Sequence, residues 1–164
     1  MFSSFRFDFI LVFTYRYFLH RFPQLCIFAV PNNNNNNEGE ELEEPIGCVV
    51  CKIDPDDTTP SSNHDNIENE NENLSGYMAM LAVDTSYRRS GIGTALVKRV
   101  LHRMRKMGCQ SVTLETEVSN TAAMKLYEER LGFVREEFLA RYYLNWGDAY
   151  RLKLYFPQEE EEKE

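Results

Sequence analysis

The residues best suited to chemistry stand in a short basic segment near the middle of the chain. It reads Arg88-Arg-Ser-Gly-Ile-Gly-Thr94 and lies between an apolar run and an amphipathic stretch. Two glycines allow the backbone to approach a ligand closely, and a helix beginning here would point its free N–H groups into the same loop. Such a loop can hold phosphate without a lysine.

This loop differs from two common phosphate-binding motifs. The Walker pattern is absent, and a dinucleotide-binding fingerprint would need a third glycine where Leu96 stands. On its own, a Gly-x-Gly turn also fits an ordinary connection between a strand and a helix. The assignment as a phosphate-binding loop therefore depends on its position between a buried strand and an amphipathic helix.

Those flanking elements are predicted from their hydrophobic patterns. Tyr77–Val83 is continuously apolar, which predicts a central strand covered on both faces. Thr94–Met107 has apolar residues at helical spacing, and Gly108 is a typical helix stop. Ser111–Glu117 alternates between apolar and polar residues, as a half-buried strand does.

The remaining C-terminal pattern predicts one more helix and a hairpin. Ser119 or Asn120 can cap a helix that runs to about Arg130. Phe133–Arg141 and Ala149–Phe156 are strand-like and are joined by a turn. The order of elements predicts an α/β fold with one parallel strand pair and flanking helices.

The N-terminal half alternates between short apolar runs and polar insertions. Leu25–Val30 is predicted to pair with Ile46–Ile53 in a hairpin. Residues 31–44 and 54–74 are polar and predicted to be disordered, because they lack the apolar side chains that would offset ordering. Residues 157–164 form an acidic tail.

Length and charge favour a single domain with an anionic ligand. The 164 residues have a formal net charge of −8, but the acidic residues concentrate in the insertions and the tail. Residues 74–156 hold thirteen Lys and Arg against eight Asp and Glu. This mild excess suits an anionic ligand or an ordinary solvated surface, and it gives no support for direct nucleic-acid binding.

Neither a metal site nor a membrane segment is predicted. Cys48-x-x-Cys51 resembles half of a zinc site, but no second pair follows. We expect all four cysteines to be reduced thiols in a cytosolic protein. The apolar run within residues 1–13 is far shorter than the roughly 20 residues that span a bilayer.

Several stretches resemble the GNAT superfamily of acetyltransferases and, more narrowly, the family of NatC catalytic subunits. Arg88-x-x-Gly91-x-Gly93 resembles the superfamily's acetyl-CoA pyrophosphate loop. The other matching stretches are Thr14–His20, Pro23–Cys26, Tyr77–Asp84, Leu114–Glu117, Asn120-x-x-Ala123-x-x-Leu126-Tyr127, Leu131–Phe133, Arg141–Asn145 and Asp148–Leu154. The resemblance implies a GNAT fold, a mixed and mostly antiparallel sheet with one parallel, splayed strand pair. It places the acetyltransferase domain at residues 14–156.

This resemblance also implies a function. The expected reaction is acetyl transfer from acetyl-CoA, without a metal, to the α-amine of proteins that begin with Met followed by Leu, Ile, Phe or Trp. The expected partners are nascent protein N-termini, a large and a small Sm-like auxiliary subunit and, through these, the ribosome in the cytoplasm. Two alternatives stay open: an acetyl-CoA-binding domain with impaired catalysis, or a GNAT enzyme acting on another amine.

Site residues follow from the same resemblance. Glu115 is the expected general base through a water molecule; Glu117 shares its strand face, so spacing alone cannot choose between them. Tyr127 is the expected acid for the CoA sulfur, although packing on the sheet would also explain it. The expected cofactor-binding residues are Leu81, Ala82, Val83, Arg88, Arg89, Gly91, Ile92, Gly93, Thr94 and Asn120. The expected substrate-binding residues are Tyr77, Tyr142 and Tyr143, and at most one of the adjacent pair is expected to line the cleft.

Three features depart from the family pattern. Residues 1–13 do not resemble the strand and helix with which the family begins, so we expect a truncated or divergent N-terminus. Three residues, instead of the usual two, separate Tyr127 from the Leu131-Gly-Phe133 motif. The usual Asn-Gly-Val-Asp turn is here Asn145-Trp-Gly-Asp148.

Overall fold

The described part of the chain contains one six-stranded mixed sheet. The computed structural model describes residues 16–31, 44–55 and 73–157. The strand order is β1-β2-β3-β4-β6-β5; β3 and β4 are parallel and every other pair is antiparallel. The strands are β1 (Cys26–Ala29), β2 (Gly47–Pro55), β3 (Leu74–Val83), β4 (Cys109–Glu117), β5 (Val134–Leu139) and β6 (Ala149–Tyr155). The predicted hairpins and the single parallel pair are thereby confirmed.

Three helices accompany the sheet in the described ranges. Helix α1 is described over residues 16–21, and α2 spans Ile92–Lys106. Helix α3 begins as an α-helix at Thr121–Met124 and continues with π-helical geometry through Lys125–Arg130. Short 3₁₀ turns at Pro23–Leu25 and Thr85–Tyr87 lead into β1 and toward α2, respectively.

Helix α2 supplies much of the core. Its apolar residues recur at helical spacing, so one face is buried against β1 to β4 while the basic residues face outward. Cations in its last turn also interact favourably with the negative end of the helix dipole. The buried residues are Leu96, Val97, Val100, Leu101 and Met104. The helix predicted from Thr94 is confirmed and begins two residues earlier.

The parallel strands β3 and β4 separate along their length. Their register runs from Leu74 opposite Cys109 to Tyr77 opposite Thr113, and no later pair joins them. Strand β3 nevertheless continues to Val83, paired with β2 on its other side. The two strands therefore diverge and open a cleft in the middle of the sheet.

The burial of β3 corrects one expectation from sequence. Continuous apolar character predicted a strand covered on both faces, but only Gly76 and Met78 are buried and Ala79 is exposed. The prediction is wrong because β4 leaves β3 beyond Tyr77, so the apolar side chains there line a cleft instead of a closed core. Strand β3 is central in the sheet yet open along its C-terminal half.

The π-helical part of α3 accommodates the additional residue before the Leu131-Gly-Phe133 motif. A π-helix places more residues in each turn than an α-helix, so a single insertion can be absorbed locally. Tyr127 stays buried, its carbonyl accepts a hydrogen bond from the Phe133 amide at 2.9 Å, and the two rings are 5.6 Å apart. The departure from the family pattern is therefore confined to this turn.

Several predicted boundaries shift or lie outside the described residues. Asp54 and Pro55 pair with Ser75 and Leu74, so the predicted loop at 54–74 is too long at both ends. Residues 32–43 and 56–72 of the two insertions, the predicted divergent N-terminus and residues 158–164 lie outside the described residues. Among the helices that are described, none is long and apolar enough to cross a membrane.

The four cysteines are free thiols. Burial raises the pKa of Cys109 to about 11 and also raises that of Cys51, so both stay protonated at neutral pH. Within residues 16–31, 44–55 and 73–157, no group of three or more His, Cys, Asp and Glu side chains could hold a metal ion.

Candidate active site

The cleft between β3 and β4 is the candidate active site. It has a volume of about 1510 Å³ and is lined by β3, the loop before α2, the first residues of α2, the end of β4 and α3. Thirteen of the predicted site residues line it: Leu81, Ala82, Val83, Arg88, Arg89, Gly91, Ile92, Gly93, Thr94, Glu115, Asn120, Tyr127 and Tyr143. The structure therefore brings the predicted phosphate loop and both predicted catalytic residues to one cavity.

The loop before α2 has the geometry of an anion-binding site. Gly91 is the N-cap of α2 with φ of +90°, a left-handed conformation that favours glycine, and no side chain caps the helix. The first N–H groups of this 15-residue helix are thus available to a ligand in the cleft. Arg88 is held by a hydrogen bond from its Nε to the Val83 carbonyl at 3.1 Å.

Four cationic side chains line the cleft. Arg88 and Arg89 were predicted from the loop, whereas Lys125 and Arg130 were not. Both of the latter are on α3, and the helical period alone did not show which side of α3 would meet the cleft. A ligand with several phosphates would find positive potential from two sides.

Glu115 is nearly buried and well held. Its side chain is only 7% exposed. The Tyr77 hydroxyl donates to Oε2 at 2.9 Å, and Arg151 Nε donates to Oε1 at 3.0 Å. A carboxylate can accept about four hydrogen bonds, so capacity remains for a water molecule or an amine.

Arg151 is a site residue that the sequence did not reveal. It lies on β6 directly opposite Glu115 on β4, and its Nη1 donates to Glu137 on β5. The pKa of Arg151 is raised, chiefly by its hydrogen bond to Glu115. These three residues form a row across neighbouring strands, which we call the Glu115–Arg151–Glu137 row.

Tyr127 lies on α3 and lines the same cleft. Burial raises the pKa of its hydroxyl, with smaller contributions from Cys51 and Tyr143. Its hydroxyl is 3.8 Å from the sulfur of Met78. Because the raised pKa keeps the phenol protonated at neutral pH, Tyr127 can act as a proton donor in the cleft.

The three tyrosines predicted to bind substrate divide between two environments. Tyr143 lines the cleft, while Tyr142 does not line it and interacts electrostatically with Tyr77 and Glu115. Burial and the bond to Glu115 raise the pKa of Tyr77. As expected for neighbours in the chain, only one of Tyr142 and Tyr143 lines the cleft.

Asn120 is positioned both to cap α3 and to contact a ligand in the cleft, the two roles predicted from the sequence. Its Oδ1 accepts from the Ala123 amide at 3.1 Å, which caps α3, and the residue also lines the cleft. Glu117, the alternative to Glu115, lines the same cleft. Its Oε1 lies so close to Gly147 that a Cβ there would approach it to 2.7 Å.

Together, the anion-binding loop, a buried carboxylate and a protonated phenol suit acyl transfer from a phosphate-bearing carrier to an amine. The family model described as the acetyltransferase (GNAT) family matches residues 4–133. The chain belongs to the GNAT family. Strands β3 and β4 diverge at this cleft, as the splayed strand pair of a GNAT fold does. The fold prediction is therefore confirmed.

Curated relatives within the GNAT family share a more specific name. N-alpha-acetyltransferase 30 of Xenopus laevis is 46% identical over 144 residues, covering 88% of this chain and 44% of that protein. The human protein of that name is also 46% identical, with 88% and 33% covered. The Saccharomyces cerevisiae protein is 42% identical, with 87% and 70% covered. The chain thus spans less than half the length of the first two relatives.

Solved structures agree with this kinship. A crystal structure of the NatC complex bound to Gag peptide and CoA contains a chain with TM-score 0.71 and 40% identity, covering 89% of this chain and 80% of that one. NAA60 of Arabidopsis thaliana in complex with acetyl-CoA gives TM-score 0.63 and 27% identity, covering 79% and 74%.

The turn between β5 and β6 departs from the family pattern at a strained position. Trp146 stands where the family has glycine, and its φ is +63°. Its exposed ring lies under the Arg141 guanidinium, 5.7 Å from the ring centroid. The turn is otherwise held by hydrogen bonds from the Arg141 amide to Asp148 and from the Gly147 amide to Asn145.

We expect Trp146→Gly to be more stable than Trp146→Ala by roughly 0.5–1 kcal/mol, because only the alanine keeps a Cβ in the left-handed conformation. Both variants lose the contact with Arg141, so the difference between their unfolding free energies reports only the cost of the left-handed backbone conformation. Urea unfolding of the two variants side by side measures it. An alanine variant as stable as the glycine variant would show that this turn carries no strain.

Proposed function

We propose that this chain transfers an acetyl group from acetyl-CoA to the α-amine of proteins that begin with Met and a bulky apolar residue. The observation that carries the proposal is the cleft itself, with Glu115 and Tyr127 on its walls and the N-terminus of α2 at one end. Kinship with N-alpha-acetyltransferase 30 supports the choice of an α-amine, and the bound peptide of the NatC structure supports a peptide substrate.

The proposed reaction uses the cofactor in a fixed position. Acetyl-CoA would lie with its pyrophosphate at the Gly91–Gly93 loop, near Arg88 and Arg89. Its thioester would lie between the diverging strands, where a backbone N–H of the Leu81–Val83 segment can donate to the carbonyl oxygen. The residues at the cleft fit this cofactor, since they offer amide donors and cations for phosphates and apolar walls for the pantetheine.

Proton transfers complete the proposed reaction. The α-ammonium, whose pKa is about 7.7–8.0, gives a proton through water to Glu115. The free amine attacks the thioester carbon, and its nitrogen, now positively charged, loses a second proton to water. The carbon–sulfur bond then breaks as the tetrahedral intermediate collapses to the amide. Tyr127 donates its proton to the departing sulfur and recovers one from solvent, which releases CoA as a thiol.

Partners and location are further parts of the proposal. The matched NatC structure is a complex, which supports the presence of auxiliary subunits. We propose that these are a large subunit and a small Sm-like subunit. We propose that these subunits hold the enzyme at the ribosome, where it meets nascent chains in the cytoplasm.

A second candidate function is an acetyl-CoA-binding domain with weak catalysis. Both carboxylate oxygens of Glu115 already have partners in the chain, which could hold it as a structural group. A third possibility, a GNAT enzyme that acts on a different amine, is distinguished from these two functions by comparing acetylation rates on different amine substrates.

Saturating acetyl-CoA should raise the melting temperature on the order of 5–10 °C, since about 100-fold excess over Kd stabilises a folded protein by about 2.7 kcal/mol. Gly91→Glu should abolish this shift, because it adds a strained side chain and a negative charge to the phosphate loop. Gly108→Glu is the matched control: Gly108 has a similar φ of +87° but caps the other end of α2. A folded wild-type sample without a shift would contradict the cofactor assignment.

Acetylation of a Met-Leu peptide, followed by CoA release, then separates the candidate functions. The proposed function requires this peptide to be acetylated faster than an Ala-initiated peptide and faster than a lysine side chain. Good acetyl-CoA binding without acetylation of any amine would favour the binding domain instead.

A further inference from the structure

Glu115 reaches the cleft from a polar row that lies across three strands. Glu115 on β4, Arg151 on β6 and Glu137 on β5 stand opposite one another in the sheet register. The exposed fractions of their side chains are 7%, 35% and 51%, so the row runs from the cleft wall outward to solvent. No feature of the family match assigns a role to Arg151 or Glu137.

Arg151 is held at two points of its guanidinium. Its Nε donates to Glu115 Oε1 at 3.0 Å, and its Nη1 donates to Glu137 Oε2. A planar guanidinium bound at two atoms has a fixed orientation, unlike an ammonium on a flexible stem. The row therefore fixes where Oε1 of Glu115 points.

Because Arg151 holds Oε1, Oε2 is the oxygen that remains to accept a proton. Tyr77 donates to Oε2, and the cleft lies beside this carboxylate. A nearly buried carboxylate without a counterion would be costly, and it would turn away or take up a proton. Arg151 supplies the counterion for the carboxylate in the wall of the cleft.

We propose that Arg151 is a positioning residue for the acetyl transfer, which it serves by holding Glu115 oriented for proton removal, with Glu137 as its outer anchor. This inference rests on the proposed function of the cleft. The other ionisable groups facing Glu115 are Tyr77 from β3, Tyr142 and Tyr143 from the β5–β6 turn and Glu117 on its own strand.

The test uses kinetic variants of the full chain. Arg151→Met, which keeps the length and removes the charge, should lower kcat for the Met-Leu peptide at least tenfold. The KM for acetyl-CoA should change less than twofold, because Arg151 does not line the cleft. Arg151→Lys should restore part of kcat, and Glu137→Gln should cost less than Arg151→Met, because the contact with Glu115 remains.

One further readout separates positioning from a general structural role. In a Glu115→Gln background, Arg151→Met should cause almost no additional loss of kcat, whereas a structural role would lower kcat equally in both backgrounds. Wild-type kcat in Arg151→Met, or equal losses in both backgrounds, would overturn the proposal.

A failure of the proposed function would give a different result. The wild-type chain would then bind acetyl-CoA but acetylate no peptide. The Arg151–Glu115 contact would in that case be tested by urea unfolding of four proteins: the wild type, Arg151→Met, Glu115→Gln and the double variant. A contact that holds Glu115 predicts that the two single shifts in unfolding midpoint are not additive in the double variant. Additive shifts would overturn the assignment of Arg151 as the residue that holds Glu115.

Discussion

Glu115→Gln should lower the rate of Met-Leu peptide acetylation by roughly 10²–10⁴ at neutral pH, the usual contribution of a positioned general base. Glutamine keeps the shape of the side chain but cannot accept the proton. Acetyl-CoA binding should barely change, because the phosphate loop is formed by other residues. Raising the pH above the amine pKa of about 7.7–8.0 should recover part of the rate, since more of the substrate arrives already deprotonated.

Glu117→Gln is the matched control for this experiment. Glu117 is on the same strand face, lines the same cleft and carries the same charge. It lies two residues away, against the β5–β6 turn, without the contacts from Tyr77 and Arg151 that hold Glu115. Equal losses in the two variants, or a fully active Glu115→Gln, would contradict the assignment of Glu115 as the base.

Tyr127→Phe should also reduce kcat by roughly 10²–10⁴, because the departing sulfur would lose its proton donor. Burial raises the pKa of this phenol, so Tyr127 stays protonated through neutral and mildly alkaline pH. The loss should therefore remain nearly constant between about pH 7 and 9, whereas the loss in Glu115→Gln should shrink as the pH rises. Measuring both variants over the same pH series compares the two responses directly.

The buried hydroxyl needs a stability control. Within the part of the chain that the structure describes, the Tyr127 hydroxyl donates to the weakly accepting sulfur of Met78, so the phenylalanine variant should fold normally. A melting temperature within a few degrees of wild type would assign the lost rate to chemistry. A Tyr127→Phe variant with unchanged kcat would leave packing against Phe133 as the role of this ring.

Local signals predicted the elements that hold the cofactor. The Gly-x-Gly loop and the apolar period of α2 are short-range features, and both lie where the pattern placed them. Ser119 or Asn120 was likewise predicted to cap α3, and Asn120 is the residue that does so. Such features depend on residues close in sequence, so they can be read without knowing the rest of the fold.

The outer part of the candidate site depended on long-range register. Arg151 faces Glu115 only because β6 pairs with β4 at one particular offset. On β5, an irregularity between Arg135 and Glu137 puts Glu137, not Glu136, opposite Arg151. A shift of one residue moves a side chain to the other face of a sheet, so no local pattern could have identified this partner.

The apolar pattern of β3 also could not reveal that β3 diverges from β4. An apolar run is the same whether a neighbouring strand or a cofactor covers it. The resemblance to a family predicted the splayed pair, whereas periodicity alone predicted a strand buried on both faces. The half-exposed residues Leu81 and Val83 show the difference.

The π-helical turn in α3 makes this helix tolerant to changes in length. In a regular α-helix, one inserted residue rotates everything after it by about 100°, which would turn either Tyr127 or Phe133 away from its partner. Here the additional residue widens one turn, and the segments before and after it keep their orientations. The stretch Glu128–Arg130 can therefore gain or lose a residue without turning Tyr127 away from Phe133.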